Sequence, residues 1–391
     1  MRKSRVLWVL WLAFAFLFLA VTESAAGYLL LAVSAVLPLL AALAARRTAG
    51  RLRAELTLSP YGEKGAVTAG RLSVENKSLF PADRLLCQVC CENLLTGERE
   101  LSTLRMAAPA RSRTGTELRL KSRHSGRVRV SVRQLTCFDL FGLFRFRVRL
   151  PEEVCALTLA SPRTFSVETQ ISYGESADMD SDEYSMRKAG YDPSETFAIR
   201  EYRPGDRIRQ IHWKLTEKFG SLMVRDYGLP IQNTILLLLE TGSLPGGEKP
   251  EPDCLDALAE ALLSVSQELL SQQTVHSVGW QNHEENTFSC VELENEEELP
   301  GLLPGLLGAV PGEDGMSVAE HYMESREQLE FAHVVIFTPQ HRPGLSFLAS
   351  QCLLTEVLIS PGGGGLDQRD GMAVVGASPE TAAEALSYIE I

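Results

Sequence analysis

Four clusters in the sequence carry side chains of the types that do chemistry. The densest is Arg200-Glu201-Tyr202-Arg203-Pro204-Gly205-Asp206-Arg207-Ile208-Arg209-Gln210-Ile211-His212-Trp213-Lys214-Leu215-Thr216. It holds an imidazole for acid–base work, His212, with Glu201 and Asp206 as carboxylates to orient it. On a helix turning about 100° per residue, six positions set His212 roughly 120° around from Asp206, too far to pair. Cys87-x-x-Cys90 has metal-ligand spacing, yet no second Cys or His pair accompanies it. Leu85-Leu86-Cys87-Gln88-Val89-Cys90 reads as a strand, so these thiols are structural. Asp178-Met179-Asp180-Ser181-Asp182-Glu183 alternates acids as a calcium loop does, without the central Gly and closing Glu. Gly362-Gly363-Gly364-Gly365 follows a strand but lacks the Lys-Ser/Thr of a phosphate loop, and reads as a flexible connection. No nucleophile elbow, Walker loop or paired-His motif appears, so the chain does not read as an enzyme.

At 391 residues the chain exceeds one ordinary domain, and 45% hydrophobic against 23% charged residues suffice for globular cores. The formal charge of -12 argues against a nucleic-acid partner, which wants a concentrated basic surface. That charge is uneven. Residues 1–53 set Arg2, Lys3, Arg5, Arg46, Arg47, Arg51 and Arg53 against the single acid Glu23. Glu292, Glu294, Glu296, Glu297 and Glu298 form an acidic run that reads as a solvated surface.

Val6 to Val21 is sixteen residues without a charge, and Ala25 to Ala45 is twenty-one more. About 20 apolar residues cross a hydrocarbon core, and fewer suffice with flanking Arg and Lys. Thr22-Glu23-Ser24 leaves room only for a tight turn. Residues 1–50 therefore predict two transmembrane helices, about 6–21 and 25–45, rather than a cleaved signal peptide. Basic residues flank the outer ends and an acid marks the turn, so the positive-inside rule places both ends in the cytoplasm. The expected location is the cell membrane, multi-pass, with the C-terminal bulk cytoplasmic. Eight cysteines, mostly within apolar strings, suit a reducing compartment.

From 54 to 160 short alternating strands dominate: Arg71–Asn76, Thr116–Leu120, Arg127–Val132 and Phe144–Leu150. They predict a β-sandwich-like domain whose alternating arginines form a solvated face, with contact to anionic lipid as the alternative. Residues 161–199 are polar and turn-rich, and read as a linker or long loop. In 200–391 the period changes. Thr234–Leu239 reads as a buried parallel strand, Asp253–Leu270 as an amphipathic helix, and Thr274–Trp280, Ala332–Phe337 and Leu353–Ile359 as strands. A closing helix to about Tyr388 is expected, with Ser378 as N-cap and Pro379 first inside. Alternating strands and helices predict an α/β domain with a mainly parallel sheet.

Within the dense cluster, Pro204-Gly205 makes a turn and Asp206 is placed to cap a helix closed by Gly220. Arg200 to Tyr227 carries seven basic and four acidic residues, a local +3. This string resembles the signature of the bacterial family catalogued as domain of unknown function 58. Two N-terminal membrane helices before a β-rich region also match its layout. Phe138-Asp139-Leu140-Phe141-Gly142-Leu143-Phe144 is similar to its Asp-Pro-Phe-Gly-Leu-Phe turn, with Leu140 where Pro is usual. The resemblance covers nearly the whole chain. It implies a von Willebrand factor A-like α/β part in the bacterial inner membrane, with MoxR-type AAA+ ATPases as associated proteins. Tyr202, Pro204, Gly205, Asp206, Arg207, Arg209, Trp213 and Lys214 are the signature and partner-contact candidates.

The resemblance also raises a divalent ion held by Asp-x-Ser-x-Ser after the first strand. Here Glu240 replaces Asp, and the hydroxyls of Thr241 and Ser243 fall one residue out of register, so no cofactor is expected, Mg²⁺ included. Three functions compete: a membrane-tethered scaffold that docks a protein partner, a cation-dependent von Willebrand A-type binder, and a hydrolase. The first is preferred.

Overall fold

The computed structural model describes residues 2–150, 154–170, 184–190, 196–201, 211–219, 221–230, 235–242, 249–282, 287–309, 316–325, 331–342, 344–369 and 372–391. The chain forms two compact units, Met1–Arg163 with Leu303–Val310, and Thr164–Leu302 with Pro311–Ile391.

The first unit opens with α1 (Arg2–Thr22) and α2 (Ala25–Ala49), both long and apolar enough to cross a membrane. Lipid-type side chains point outward around most of their circumference: Leu7, Leu10, Phe16, Leu17, Leu29 and Leu39 are all exposed. Ser24 caps α2 by accepting from the Gly27 N–H at 3.3 Å. A Cβ on Gly27 would meet Leu19 at 3.0 Å, so glycine lets the two helices approach. The indoles of Trp8 and Trp11 both donate to Ser34, to its carbonyl and its hydroxyl. Both helices run beyond the apolar stretches, into the basic residues at either outer end.

Nine strands come next: β1 (Leu52–Leu58), β2 (Tyr61–Glu63), β3 (Val67–Asn76), β4 (Ala82–Asn93), β5 (Arg99–Ala108), β6 (Ser112–Lys121), β7 (Gly126–Phe138), β8 (Arg145–Arg147) and β9 (Cys155–Ser161). One sheet, antiparallel, runs β1-β3-β6, and the other runs β2-β9-β7-β4-β5 with β8 on β7, antiparallel except for the parallel β2–β9 pair. Leu56, Leu72, Val74 and Leu118 of the first share a core with Leu85, Val89, Val130 and Leu135 of the second. Val128, Val130 and Val132 point inward between the arginines of β7, the period-two pattern of a half-buried strand. The arginine face is not wholly solvated, however: Arg127 and Arg129 are half-buried, and a Cβ on Gly308, in the later segment that joins this unit, would lie 3.2 Å from the Arg127 side chain.

The second unit contains β10 (Glu168–Gln170), β11 (Tyr184–Gly190), β12 (Thr196–Glu201), α3 (Trp213–Phe219), β13 (Met223–Pro230), β14 (Ile235–Leu239), α4 (Pro252–Ser271), β15 (His276–Asn282) and β16 (Thr287–Leu293). After α5 (Leu299–Leu306), which runs into the later segment of the first unit, come α6 (Val318–Ser325), β17 (His333–Thr338), α7 (Leu345–Ala349), β18 (Leu353–Ile359), β19 (Leu366–Arg369), β20 (Met372–Ala377), α8 (Ala382–Ala385) and β21 (Tyr388–Glu390). The largest sheet runs β16-β15-β14-β17-β18-β20-β19. Its four inner pairings are parallel and its two edge pairings antiparallel. Over the chain as a whole, antiparallel sheets prevail. Leu236, Leu238, Val334, Ile336 and Leu354 pack on one face with α6 and α7, and α4 covers the other.

Two expectations need correction. Residues 161–199 are not simply a linker: they supply β10, β11 and β12, and the latter two flank β13 in an antiparallel sheet. The acid cluster at 178–183 lies outside the described residues. The closing helix is only the four residues of α8. Ser378 Oγ accepts from Thr381 N at 3.3 Å and closes a turn there. Beyond it Ile389 and Ile391 are both buried, the strand period, and β21 pairs in parallel with β10.

Two histidines lie in this unit's framework. His333 shares a hydrogen bond with Thr355 Oγ1 at 2.9 Å, and burial lowers its pKa to about 4. His276, bonded to Ser266 Oγ at 2.7 Å, is lowered by burial too, partly opposed by the Thr274 carbonyl. Both are neutral in the fold, whereas the unfolded chain takes up protons as pH falls below about 6.5. Their contribution is therefore complete above that value and is lost as pH falls towards His333's folded pKa. Urea titrations of the detergent-solubilised chain from about pH 7 down to about pH 4 should show stability falling, with His333 contributing up to about 3 kcal/mol. His333→Gln should flatten that slope; an unchanged slope would mean His333 is charged in the fold.

Candidate functional site

Of the signature residues, Tyr202, Pro204, Gly205, Asp206, Arg207 and Arg209 lie outside the described residues. Among the described residues the helix beyond them runs from Trp213 to Phe219, with His212 just before it, and the expected Asp206 cap lies outside them. The His212 carbonyl accepts from Leu215 N and Thr216 N, both at 3.0 Å, and its Nδ1 accepts from Leu215 N at 3.4 Å. His212 N–H is itself tied to Met223 O at 2.8 Å, and Ile211 bridges to Val224, which is fully buried. Thr216 Oγ1 takes Met223 N at 3.0 Å. His212 is thus fixed in the turn between the Ile211 bridge and α3. Lys214 is exposed on the first turn of α3.

The other sequence candidate lies where open α/β sheets bind ligands, beyond the carboxyl ends of the strands at the switch point. That point falls at β14, which has β15 on one side and β17 on the other. Glu240 follows β14 directly and is 1% exposed. Its Oε1 accepts from Gly242 N at 2.7 Å and its Oε2 from Val318 N at 2.9 Å. Arg342 Nε, after β17, lies 3.9 Å from the same Oε2. Burial pushes the Glu240 pKa above the carboxylate range, opposed by Arg342 and by the two backbone donors.

Val318 N belongs to the N-terminus of α6, where a helix presents unpaired donors and a positive dipole end. Ser317-Val318-Ala319-Glu320 is a capping box there: Ser317 Oγ accepts from Glu320 N at 3.2 Å, and Glu320 Oε2 accepts from Ser317 N at 2.7 Å. Glu240 supplies the acceptor for Val318 N. Its carboxylate is therefore spent within the protein, and the set does not fit a divalent ion. Thr241 is buried beside it, and Ser243 lies outside the described residues. Among the described residues, no group of three or more His, Cys, Asp or Glu side chains is placed to hold a metal.

Sequence reading missed a second buried carboxylate at this edge. Glu356, in β18, is fully buried; its Oε2 bonds His341 Nδ1 at 2.7 Å, while its Oε1 has no hydrogen-bond partner. His341 is about one-quarter exposed. A carboxylate fixing one imidazole nitrogen is the arrangement that orients a general base. The available sequence signal was an acid inside an otherwise apolar strand, Leu353-Leu354-Thr355-Glu356-Val357-Leu358-Ile359. Cys87 sits in the β core and burial raises its thiol to about 11, while Cys90 is buried outside that core cluster, so the pair does not converge.

No family model matches the chain, and no curated protein matches it. Solved structures similar to part of it include the CARDB domain of PF1109 from Pyrococcus furiosus, at 10% identity over 28% of this chain and 87% of that one, TM-score 0.22. The Pseudomonas fluorescens DNA glycosylase AlkC matches at 13% identity over 35% and 40% of the two chains, TM-score 0.22. A Listeria innocua beta-glucosidase matches at 14% over 28% and 16%, TM-score 0.21. The chain spans less than half of the latter two, and likeness at these TM-scores bears on neither fold nor activity.

The role of Glu240 as an internal pin has a direct consequence. Glu240→Ala leaves two buried backbone donors unpaired and should destabilise the α/β unit by about 2–4 kcal/mol, with Glu240→Gln costing less because one acceptor remains. Urea denaturation followed by near-UV dichroism measures this. Wild-type stability in the alanine variant, together with loss of Mg²⁺-dependent binding, would make Glu240 a ligand instead.

Proposed function

We propose that this chain is a membrane-anchored accessory protein of the domain of unknown function 58 family. Its hairpin crosses the bacterial inner membrane with both ends cytoplasmic, and its α/β body, von Willebrand A-like, docks a protein partner. A MoxR-type AAA+ ATPase is the partner the family resemblance names. The observation that carries the anchor is the pair α1 and α2, whose apolar side chains point outward where a soluble protein would bury them. Parallel strands with helices on both faces support the α/β reading, and the consumed carboxylate of Glu240 favours docking over cation-dependent adhesion. The Glu356–His341 pair favours a second reading, a hydrolase, in which His341→Gln, whose amide can still donate to Glu356, would abolish turnover of a substrate while keeping the fold.

The intact chain should sediment with membranes and resist carbonate extraction, and protease added outside unbroken cells should leave residues beyond 60 uncut. Affinity purification from detergent-solubilised membranes should recover an AAA+ ATPase with the wild type. Asp206→Ala and Trp213→Ala should keep the thermal transition but lose that partner. If both unfold the protein, the signature is structural; recovery of the chain from the aqueous fraction would remove the anchor.

A further inference from the structure

Two loops of the β unit stand at the base of the hairpin, and both present apolar tips. In the first, residues 77–81, Asn76 Nδ2 donates to Phe80 O and to Ala108 O, each at 3.0 Å, and Asn76 Oδ1 accepts from Ser78 N at 2.9 Å. Ser78 Oγ donates to Phe80 O at 2.6 Å. Asn76 and Ser78 are each 1% exposed, whereas Leu79 is 60% and Phe80 46% exposed. The second loop, residues 139–144, is pinned by buried Asp139, which accepts from Phe141 N at 3.2 Å and Phe144 N at 2.7 Å. Gly142 turns it at φ +68, and Leu143 is buried, but Leu140 is 70% and Phe141 39% exposed. Buried polar networks thus hold four large apolar side chains out of the core.

The hairpin fixes where those tips lie. Arg5 Nε donates to Leu143 O at 2.9 Å, and Arg5 adjoins Val6, where the first apolar run begins. Thr48 Oγ1 and Ser78 Oγ share a buried hydrogen bond at 3.1 Å, and Thr48 is three residues past Ala45, where the second run ends. Three residues of helix rise about 4.5 Å. A bilayer is about 40–45 Å thick with headgroups and about 30 Å without, so each polar layer is about 5–8 Å deep. Both loops are therefore tied to the helices inside that depth. Charge agrees. Arg84 is exposed beside Gly142, its guanidinium 3.0 Å from where a Cβ would stand there, and exposed Arg111 donates its N–H to Ser78 O at 3.1 Å.

We propose that these loops form an interfacial foot that lies in the same bilayer the hairpin crosses, rather than a docking face for protein. Leu79, Phe80, Leu140 and Phe141 rest at the acyl boundary, and Arg84 and Arg111 meet anionic lipid phosphates. This inference rests on the membrane anchoring proposed above. A photoreactive benzoylphenylalanine placed singly at Leu79, Leu140, Leu17 or Leu101 in the full chain tests it, after reconstitution into vesicles of phosphatidylcholine alone or mixed with phosphatidylglycerol. Leu17 reports the anchor, and Leu101, 73% exposed on β5 well away from Ala108, reports background. Mass spectrometry should find lipid adducts at Leu79 and Leu140 several-fold above Leu101, with more in the anionic vesicles. Arg84→Gln with Arg111→Gln should remove that anionic gain, about fivefold for each basic residue at the surface. Adducts to a second copy of the chain, or yields equal to Leu101 while Leu17 labels, would overturn the foot and leave the anchor standing. A silent Leu17 would remove both.

Discussion

Inside a bilayer no water is available to an unpaired N–H or C=O, so a chain that enters must satisfy its own polar groups. Residues 2–49 meet that constraint. Two unbroken helices close the backbone, Thr22 donates back to Phe18 O at 2.7 Å, and Ser34 absorbs both indole donors. Pro38 lies within α2 and costs it one hydrogen bond. All cationic side chains of this segment fall at the hairpin's open end, so charge and fold change character at one level, around Arg5 and Arg46. The β unit begins there, with Leu52 already in its core and Ala49 of α2 packed into the same cluster. A flexible tether would leave the sheets free to tumble. Here α2 runs directly into the core, and the hydrogen bonds of Arg5 and Thr48 fix the end of the hairpin to the β loops.

Polar pinning recurs through both units. Asn93 fills the β4–β5 turn, accepting from Leu95 N and Thr96 N and donating to Ser125 O. The neighbouring Gly126 has φ +141, and a Cβ there would lie 2.3 Å from Asn93 Oδ1, so glycine and asparagine require each other. In the α/β unit Glu240 does the same for a helix end. The common principle is that a buried polar side chain costs free energy unless every donor it faces is met, and once met it specifies a single geometry.

Elements whose pattern reflects their own environment are legible in the sequence. The hairpin needs long uncharged runs, β14 is apolar at every position because both faces are covered, and α4 shows an apolar stripe although the fold buries more than that face, Cys254 to Ala259 and Ala261 to Ser266 being buried throughout. Leu353–Ile359 reads as a strand to the residue. Elements defined by distant partners are not legible. β10 and β21 are three residues each and lie more than 200 positions apart; nothing local in Glu168–Gln170 announces Tyr388–Glu390. The antiparallel edge β16 carries alternation, yet its Glu292 opens the acidic run that reads as a solvated surface, so the strand is not announced. Beyond the signature, the His212 N–H bond to Met223 O ties the start of α3 to β13, a contact no local pattern announces. The capping box Ser317–Glu320 was available by pattern alone, whereas the bond from Val318 to Glu240 spans 78 positions and needs the fold.

The carboxyl edge of the large sheet is closed by its own polar contacts. In open α/β folds the switch point is a crevice because the two flanking loops diverge. Here α6 is drawn across it by its own N-terminus, and the Glu240 carboxylate that would reach outward for a ligand is turned back onto Val318 and Gly242. Opening the crevice would expose two backbone donors and separate a carboxylate from Arg342, a cost of several kcal/mol that a small ligand of modest affinity does not offset. The protein partner proposed above would be met by surfaces that need no such opening. Among the described residues these include the exposed face of α3 that carries Lys214, Glu217 and Lys218, mixed charges of the kind that steer encounter with a protein rather than enclose a small molecule.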